Sequence, residues 1–395
     1  MKPLMSIFRL ILLFLPFALS ANPNWMYLGV IGIPPPLQQQ QASPGAELED
    51  PVKIQARAIC GGLPGLATKQ INICMKHPNA IYSVSDGAKK AIEQCQYQFR
   101  HERWNCSILE NEQSVFGPTL DRGSKETAFI YAITSAGVVF SITNACSSGS
   151  LTECSCDAMQ HGKTTPEGWK WGGCSDNLRF GLQFSRKFVD GSEPERPNNF
   201  KTTKQKRIWS SRFKMNLHNN EVGRQTVMSL MKMHCRCHGV SGSCELKTCW
   251  KFMPSFGEIG KVLKQKYGKA ILINHNAGES SKKNSTVTTH RKRDTRAHKK
   301  KRSKRPLLAE PKELVHIQKS PNYCKQDYRN GVLGTEGRKC NGTSTGPDSC
   351  NKLCCGRGHM TNVVKQEEHC NCKFVWCCFV KCDTCYKNVE QKSCK

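Results

Sequence analysis

Residues 372–382 read C-K-F-V-W-C-C-F-V-K-C, a run nearly symmetric about Cys377. Folding the chain back there sets Cys372 beside Cys382, Lys373 beside Lys381, Phe374 beside Val380 and Val375 beside Phe379. Cys370 and Cys385 then fall nearly opposite one another as an outer staple. Adjacent Cys377 and Cys378 are left at the tip as a candidate vicinal disulfide. The pattern predicts a β-hairpin held by disulfides. No residue nearby can bury Phe374, Trp376, Phe379 and Val380 together, so the ribbon is expected to offer an apolar tip to a partner. Two other readings fit the same residues: a small local core, and a zinc site built from Cys370-x-Cys372 and Cys382-x-x-Cys385.

Outward from this run, cysteine density sets the organisation of the chain. Of 24 cysteines in 395 residues, twelve lie between Cys324 and Cys394, four between Cys235 and Cys249, and eight between Cys60 and Cys174. The last group of twelve predicts a small domain, residues 321–395, of short strands and turns stapled by disulfides. So many thiols would be hazardous in a reducing cytosol. The N-terminus agrees: Lys2 and Arg9 precede an apolar run over 10–19 and then Ser20 and Ala21, the layout of a cleaved secretory signal over 1–21. A membrane anchor is the rival reading, and the run is short for it. N-x-[ST] sequons stand at Asn105, Asn284 and Asn341. Aliphatic and aromatic patterning excludes a wholly disordered chain.

Residues 22–273 have helical texture. Residues 126–144 (ETAFIYAITSAGVVFSITN) are apolar nearly all round, as a buried central helix would be. Residues 86–99, 216–233 and 256–267 read as further helices, and 191–207 as a surface loop. The fold class is therefore α+β: a helical N-terminal domain followed by a disulfide-stapled, β-hairpin-rich C-terminal domain. A basic flexible linker over 274–320 is expected between them. Twelve Lys or Arg against one Asp give residues 282–305 a net charge of +11 out of a total of +28. Arg302-Ser303-Lys304-Arg305 resembles a convertase site, but Pro306 after it favours an uncleaved linker.

A second hairpin is expected at 235–249. Neighbouring cysteines in C-x-C do not readily bridge each other, so nested pairing is favoured, Cys237 with Cys244 and Cys235 with Cys249. This closes a loop whose tip is Gly239-Val240-Ser241-Gly242-Ser243, where two glycines allow unusual backbone angles. Ser241 has three readings: a nucleophile of the G-x-S-x-G kind, a plain loop serine, or a hydroxyl presented for modification. Against the first, the fifth position is Ser243, and no strand is expected before the loop as a nucleophile elbow requires.

Several runs together resemble the Wnt family of signalling proteins: His101-Glu102-Arg103-Trp104-Asn105-Cys106, Lys125-Glu126-Thr127-Ala128-Phe129, Cys154-Ser155-Cys156-Asp157, Trp171-Gly172-Gly173-Cys174-Ser175-Asp176, Asn216-Leu217-His218-Asn219-Asn220-Glu221 and, most specifically, residues 235–244 (CRCHGVSGSC). HERWNC, ETAFIYA and SRKF are most similar to the sixteenth class of that family. The resemblance spans the mature chain. It implies a secreted, non-enzymatic ligand that grips the cysteine-rich domain of a Frizzled receptor between two fingers, with a co-receptor related to the LDL receptor. It implies palmitoleate on Ser241, attached by a membrane O-acyltransferase, with no other cofactor and no metal, and export by the carrier Wntless. Receptor contact falls to Val240 and Ser241 on one finger, and to Phe374, Val375, Trp376, Cys377, Cys378, Phe379 and Val380 on the other.

The resemblance further implies bridges Cys95–Cys106, Cys146–Cys154, Cys156–Cys174, Cys324–Cys355, Cys340–Cys350 and Cys354–Cys394. Cys60 and Cys74 remain as an extra pair that parts of the family lack. Asn105 and Asn341 match family glycosylation positions, while Asn284 sits in the variable linker. The high basic charge alone would also fit a nucleic-acid or polysaccharide binder. A secreted chain meets sulfated glycans before nucleic acid, and no nucleic-acid-reading motif appears, so heparan sulfate in the extracellular matrix is the expected accessory partner.

Overall fold

A computed structural model describes residues 24–33, 51–108, 114–195, 200–273, 312–376 and 379–395. The signal segment 1–21, the basic run 282–305 with Asn284 and residues 302–305, and the tip cysteines Cys377 and Cys378 lie outside the described residues.

The helical body is built on one helix. After short α1 (Leu28–Ile31), α2 (Pro51–Cys60), α3 (Thr68–Lys76), α4 (Ala80–Phe99) and α5 (Gly117–Arg122) comes α6 (Lys125–Ser147). Ser124 starts α6, its backbone N–H donating to Thr127 Oγ1 at 3.0 Å. The helix is long and apolar enough to cross a bilayer, yet 83% of its most apolar window is buried inside the protein. Around it lie α4, α7 (Leu178–Asp190), α8 (Thr203–Ser229) and α9 (Phe256–Gly268). The expected helix at 86–99 begins six residues earlier, at Ala80.

Close approach of α4 and α6 depends on two glycines. A Cβ on Gly137 would lie 2.3 Å from the Gly87 carbonyl oxygen, and one on Gly87 would lie 2.6 Å from the Gly137 oxygen. Any side chain there must push two backbones apart. Gly137→Val is expected to cost about 3 kcal/mol and lower the thermal midpoint by roughly 6–12 °C. A calorimetric midpoint equal to the wild type's would contradict this packing.

The body differs from expectation at two places. Residues 203–207, expected in a loop, form the first turns of α8, where the Thr202 hydroxyl accepts from Gln205 N–H and the Gln205 side chain accepts from Thr202 N–H. The sequence there is basic and largely exposed, so it shows no apolar stripe. The expected linker also ends sooner than 320. Beyond β1 (Lys170–Trp171), β2 (Lys232–Cys237) and β3 (Lys247–Phe252), short β4 (Ile271–Leu272) pairs in parallel with β5 (Val315–His316). Leu314, Val315, His316 and Ile317 are buried. The Asn219 side chain takes the place of a missing strand: its Oδ1 accepts from Val315 N and its Nδ2 donates to Val315 O, both at 2.9 Å. The short L-V-H-I run is hidden in sequence because a side chain supplies half its pairing.

The C-terminal part holds β6 (Lys339–Cys340), α10 (Cys350–Leu353), β7 (His359–Val375) and β8 (Phe379–Cys394), with strand order β6-β8-β7. The expected short strands are instead 17 and 16 residues long. Almost all of this ribbon is exposed on both faces, so no alternation of polar and apolar residues marks its length.

Where α8 runs towards β2, Arg224 is buried and makes three hydrogen bonds to two carboxylates. It donates from Nη1 and Nη2 to Asp190 at 3.0 and 2.9 Å, and from Nε to Glu221 at 2.8 Å. Burial by itself would raise the Glu221 carboxyl, but hydrogen bonds from Arg186, Gln225 and Arg224 outweigh it and hold it at about 2. A depressed carboxyl contributes stability above its unfolded value, and that stability is lost as pH falls from about 4.5 to about 2. Asp190 and Glu193, raised by burial, act in the opposite sense. Glu221→Gln should therefore flatten the acid limb of stability in that window. Parallel acid limbs in denaturant titrations at several pH values would show that Glu221 does not carry it.

Candidate functional site: two projecting hairpins

The first projection is the β2–β3 hairpin. Cys235 lies directly opposite Cys249 in register, and the two are disulfide-bonded. Cys237 bonds Cys244 and closes the tip. Beyond it the chain turns through Val240–Gly242, with Ser241 at φ 59° and Gly242 at φ 79°. A left-handed serine is uncommon, and here hydrogen bonds hold the turn: Gly239 N donates to Ser243 O at 2.8 Å and Gly242 N to Gly239 O at 3.0 Å. A Cβ on Gly239 would overlap Ser243 Oγ at 1.9 Å. The outcome is an outward-facing Val240, 88% exposed, next to an exposed Ser241.

One expectation here is corrected: a strand, β2, does precede the loop. It returns antiparallel into β3, however, whereas a nucleophile elbow passes from strand into helix. His238 shares a hydrogen bond with Thr248 Oγ1 at 2.6 Å and so is engaged away from Ser241. The tip thus presents a hydroxyl without activating it.

A buttress that the sequence reading missed stiffens this finger. β1 pairs in parallel with β3, Trp171 opposite Cys249, on a loop closed by Cys156–Cys174. Trp250 packs against His234 with ring centroids 4.9 Å apart. A Cβ on Gly173 would lie 3.2 Å from that indole. The Trp171-Gly172-Gly173-Cys174 run was the available signal, since adjacent glycines beside a tryptophan mark a close approach.

The second projection is the β7–β8 ribbon. Its register pairs Lys373 with Lys381, Phe374 with Val380 and Val375 with Phe379. Cys370–Cys385 and Cys372–Cys382 are disulfides, so these four sulfurs bond in pairs rather than converging on an ion. Phe374 is 72% exposed and Trp376 90%, with Val375, Phe379 and Val380 also outside any core. At the base, Cys324–Cys355, Cys340–Cys350 and Cys354–Cys394 gather around buried Leu353. The remaining disulfides among the described residues, Cys60–Cys74, Cys95–Cys106 and Cys146–Cys154, lie in the helical body.

Both described sequons are folded locally. Asn105 Oδ1 accepts from Ser107 Oγ at 2.7 Å. Asn341 Oδ1 accepts from Thr343 N at 3.0 Å and Thr343 Oγ1 at 2.9 Å, on an exposed turn.

The chain matches the wnt family over residues 62–395. It is 42% identical over 386 residues to Protein Wnt-16 of Bos taurus, covering 96% of this chain and 94% of that protein. To Protein Wnt-16 of Mus musculus it is 43% identical over 381 residues, covering 94% and 92%. To Protein Wnt-2b-A of Xenopus laevis it is 40% identical over 390 residues, covering 98% and 96%. Among solved structures it is similar to that of human WLS in complex with WNT8A, with a TM-score of 0.55 and 36% identity over 80% of this chain and 94% of that one.

Proposed function

Because the chain belongs to the wnt family, we propose that it signals by gripping the cysteine-rich domain of a Frizzled receptor between its two stapled hairpins. Members of that family are secreted signalling ligands and not enzymes. The observation that carries the finer reading is the pair of tips, each rigid and each exposing residues a lone soluble protein would hide: Val240 beside Ser241, and Phe374 with Trp376.

Ser241 is the acyl acceptor in this reading. A membrane O-acyltransferase attaches palmitoleate there before export. The lipid makes the ligand poorly soluble, and the carrier is Wntless, the partner of WNT8A in the structural relative. Outside the cell, a co-receptor related to the LDL receptor joins the Frizzled receptor. Glycans are carried on Asn105 and Asn341.

A panel of immobilised Frizzled ectodomains tests the proposal. The secreted chain should bind at least one of them, and antibodies against either tip should block it. Binding that survives with both tips blocked would overturn the grip.

The basic run 282–305 is proposed to hold the ligand on heparan sulfate in the extracellular matrix. Deleting it should move elution from heparin to lower salt and leave receptor binding unchanged. Lost receptor binding would instead make it part of the grip.

A further inference from the structure

Among the described residues, the two finger-bearing halves share no disulfide. Each disulfide among the described residues closes within residues 60–249 or within residues 324–394. The placement of one finger relative to the other therefore rests on a non-covalent joint, in which Tyr323 packs on Trp104 with ring centroids 6.4 Å apart beside polar contacts that are in part deeply buried.

Its first element is the Glu126 carboxylate, 1% exposed in the first turn of α6. Oε1 accepts from the Tyr267 hydroxyl on α9 at 2.7 Å, and Oε2 from the Ser124 hydroxyl at 2.6 Å. Ser320 Oγ reaches both carboxylate oxygens at 2.9 Å. Ser320 stands four residues before Cys324, so the core helix of one half holds the entry to the other. Burial and the Glu126 charge push the phenols of Tyr267 and Tyr323 above their ordinary range.

The second element is Arg338. Its Nη1 donates to the carbonyls of Glu102 at 2.6 Å and Arg103 at 2.8 Å, and its Nη2 to that of Arg100 at 3.1 Å. These carbonyls follow the end of α4, where no further turn of helix supplies donors. Arg103 Nε reaches back to Lys352 O at 2.9 Å, so the contact is reciprocal.

We propose that Glu126 and Arg338 are positioning residues that set the spacing of the two fingers, so that the ligand meets its receptor as a pre-set caliper. Sliding one half on the other would take the Ser320 hydroxyl from Glu126 and leave the Arg338 guanidinium without the carbonyls of Arg100, Glu102 and Arg103. The caliper rests on the two-finger reading above, while the joint itself does not.

The full chain carrying Arg338→Ala and Ser320→Ala tests it, since the first side chain is half-buried, the second is exposed, and every disulfide is kept. Spin labels on non-natural residues at exposed Leu246 and Tyr386 report the inter-finger distance by pulsed electron resonance. The wild type should give one narrow distribution, the double variant one at least about twofold broader, and Arg338→Lys an intermediate width. Receptor dissociation of the double variant should quicken roughly tenfold, as pre-organisation is lost. A double-variant distribution as narrow as the wild type's overturns the positioning role, whatever the receptor does. A joint that broadens as expected in a ligand whose wild type binds no Frizzled domain supports the positioning role and overturns only the two-finger reading.

Discussion

Ser241→Ala is expected to yield a secreted chain with no acyl group and at least about 100-fold weaker receptor binding, its disulfides unchanged. The size follows from hydrocarbon burial. At ~0.8 kcal/mol per CH₂, a sixteen-carbon chain seated in a dry groove contributes roughly 10 kcal/mol before ordering losses. Half of that would still exceed what a small protein–protein tip supplies. The fold should survive because Ser241 is exposed and its turn is fixed from outside by Cys237–Cys244 and Cys235–Cys249. The left-handed backbone at Ser241 adds a small cost for alanine, which Ser241→Gly avoids. The two variants should therefore fail alike in signalling and differ slightly in stability. Intact-mass measurement of the secreted protein, paired with a receptor assay, decides the matter. A wild type without acyl mass that signals fully would refute the role.

That expectation depends on features written plainly in the sequence, and others in the same molecule are not. The register of the second finger next to its tip was legible, because mirror symmetry about Cys377 gives the pairing found from Lys373↔Lys381 to Val375↔Phe379, while the bulge between Cys370 and Lys373 left no mark in the sequence. The first was legible because C-x-C followed by C-x₄-C leaves few ways to pair. The core helix was legible because residues 126–144 have no polar stripe. What could not be read was whatever depends on one side chain completing another segment's backbone. Asn219 standing in for a strand beside Val315, Arg338 closing the end of α4, and Arg224 tying α8 to Asp190 leave no periodicity and no spacing. For the same reason the expected linker ran past 312 into residues that pack. The length of the ribbon was hidden for the opposite cause: it packs on nothing, so its composition carries no pattern.

Trp376→Ala is the second large effect, an expected loss of receptor affinity of roughly 30- to 300-fold with no loss of stability. Trp376 is 90% exposed at the end of β7, so the folded protein gains almost nothing from it. A large indole held in water on a stapled ribbon contributes only once a partner covers it. Cys372–Cys382 holds Phe374 opposite Val380 whether or not the indole is present, so the change should act through contact and not through local unfolding. Tyr386→Ala supplies the control, because Tyr386 is also exposed but lies opposite Glu367, further from the tip. Equal losses from both substitutions would mean general damage to the ribbon. In the Ser241→Ala background, Trp376→Ala should cost less than it does alone, since a one-fingered ligand has already lost the gain from simultaneous engagement. A Trp376→Ala chain that binds as tightly as the wild type would take the ribbon out of the receptor contact and leave the acylated finger to act by itself.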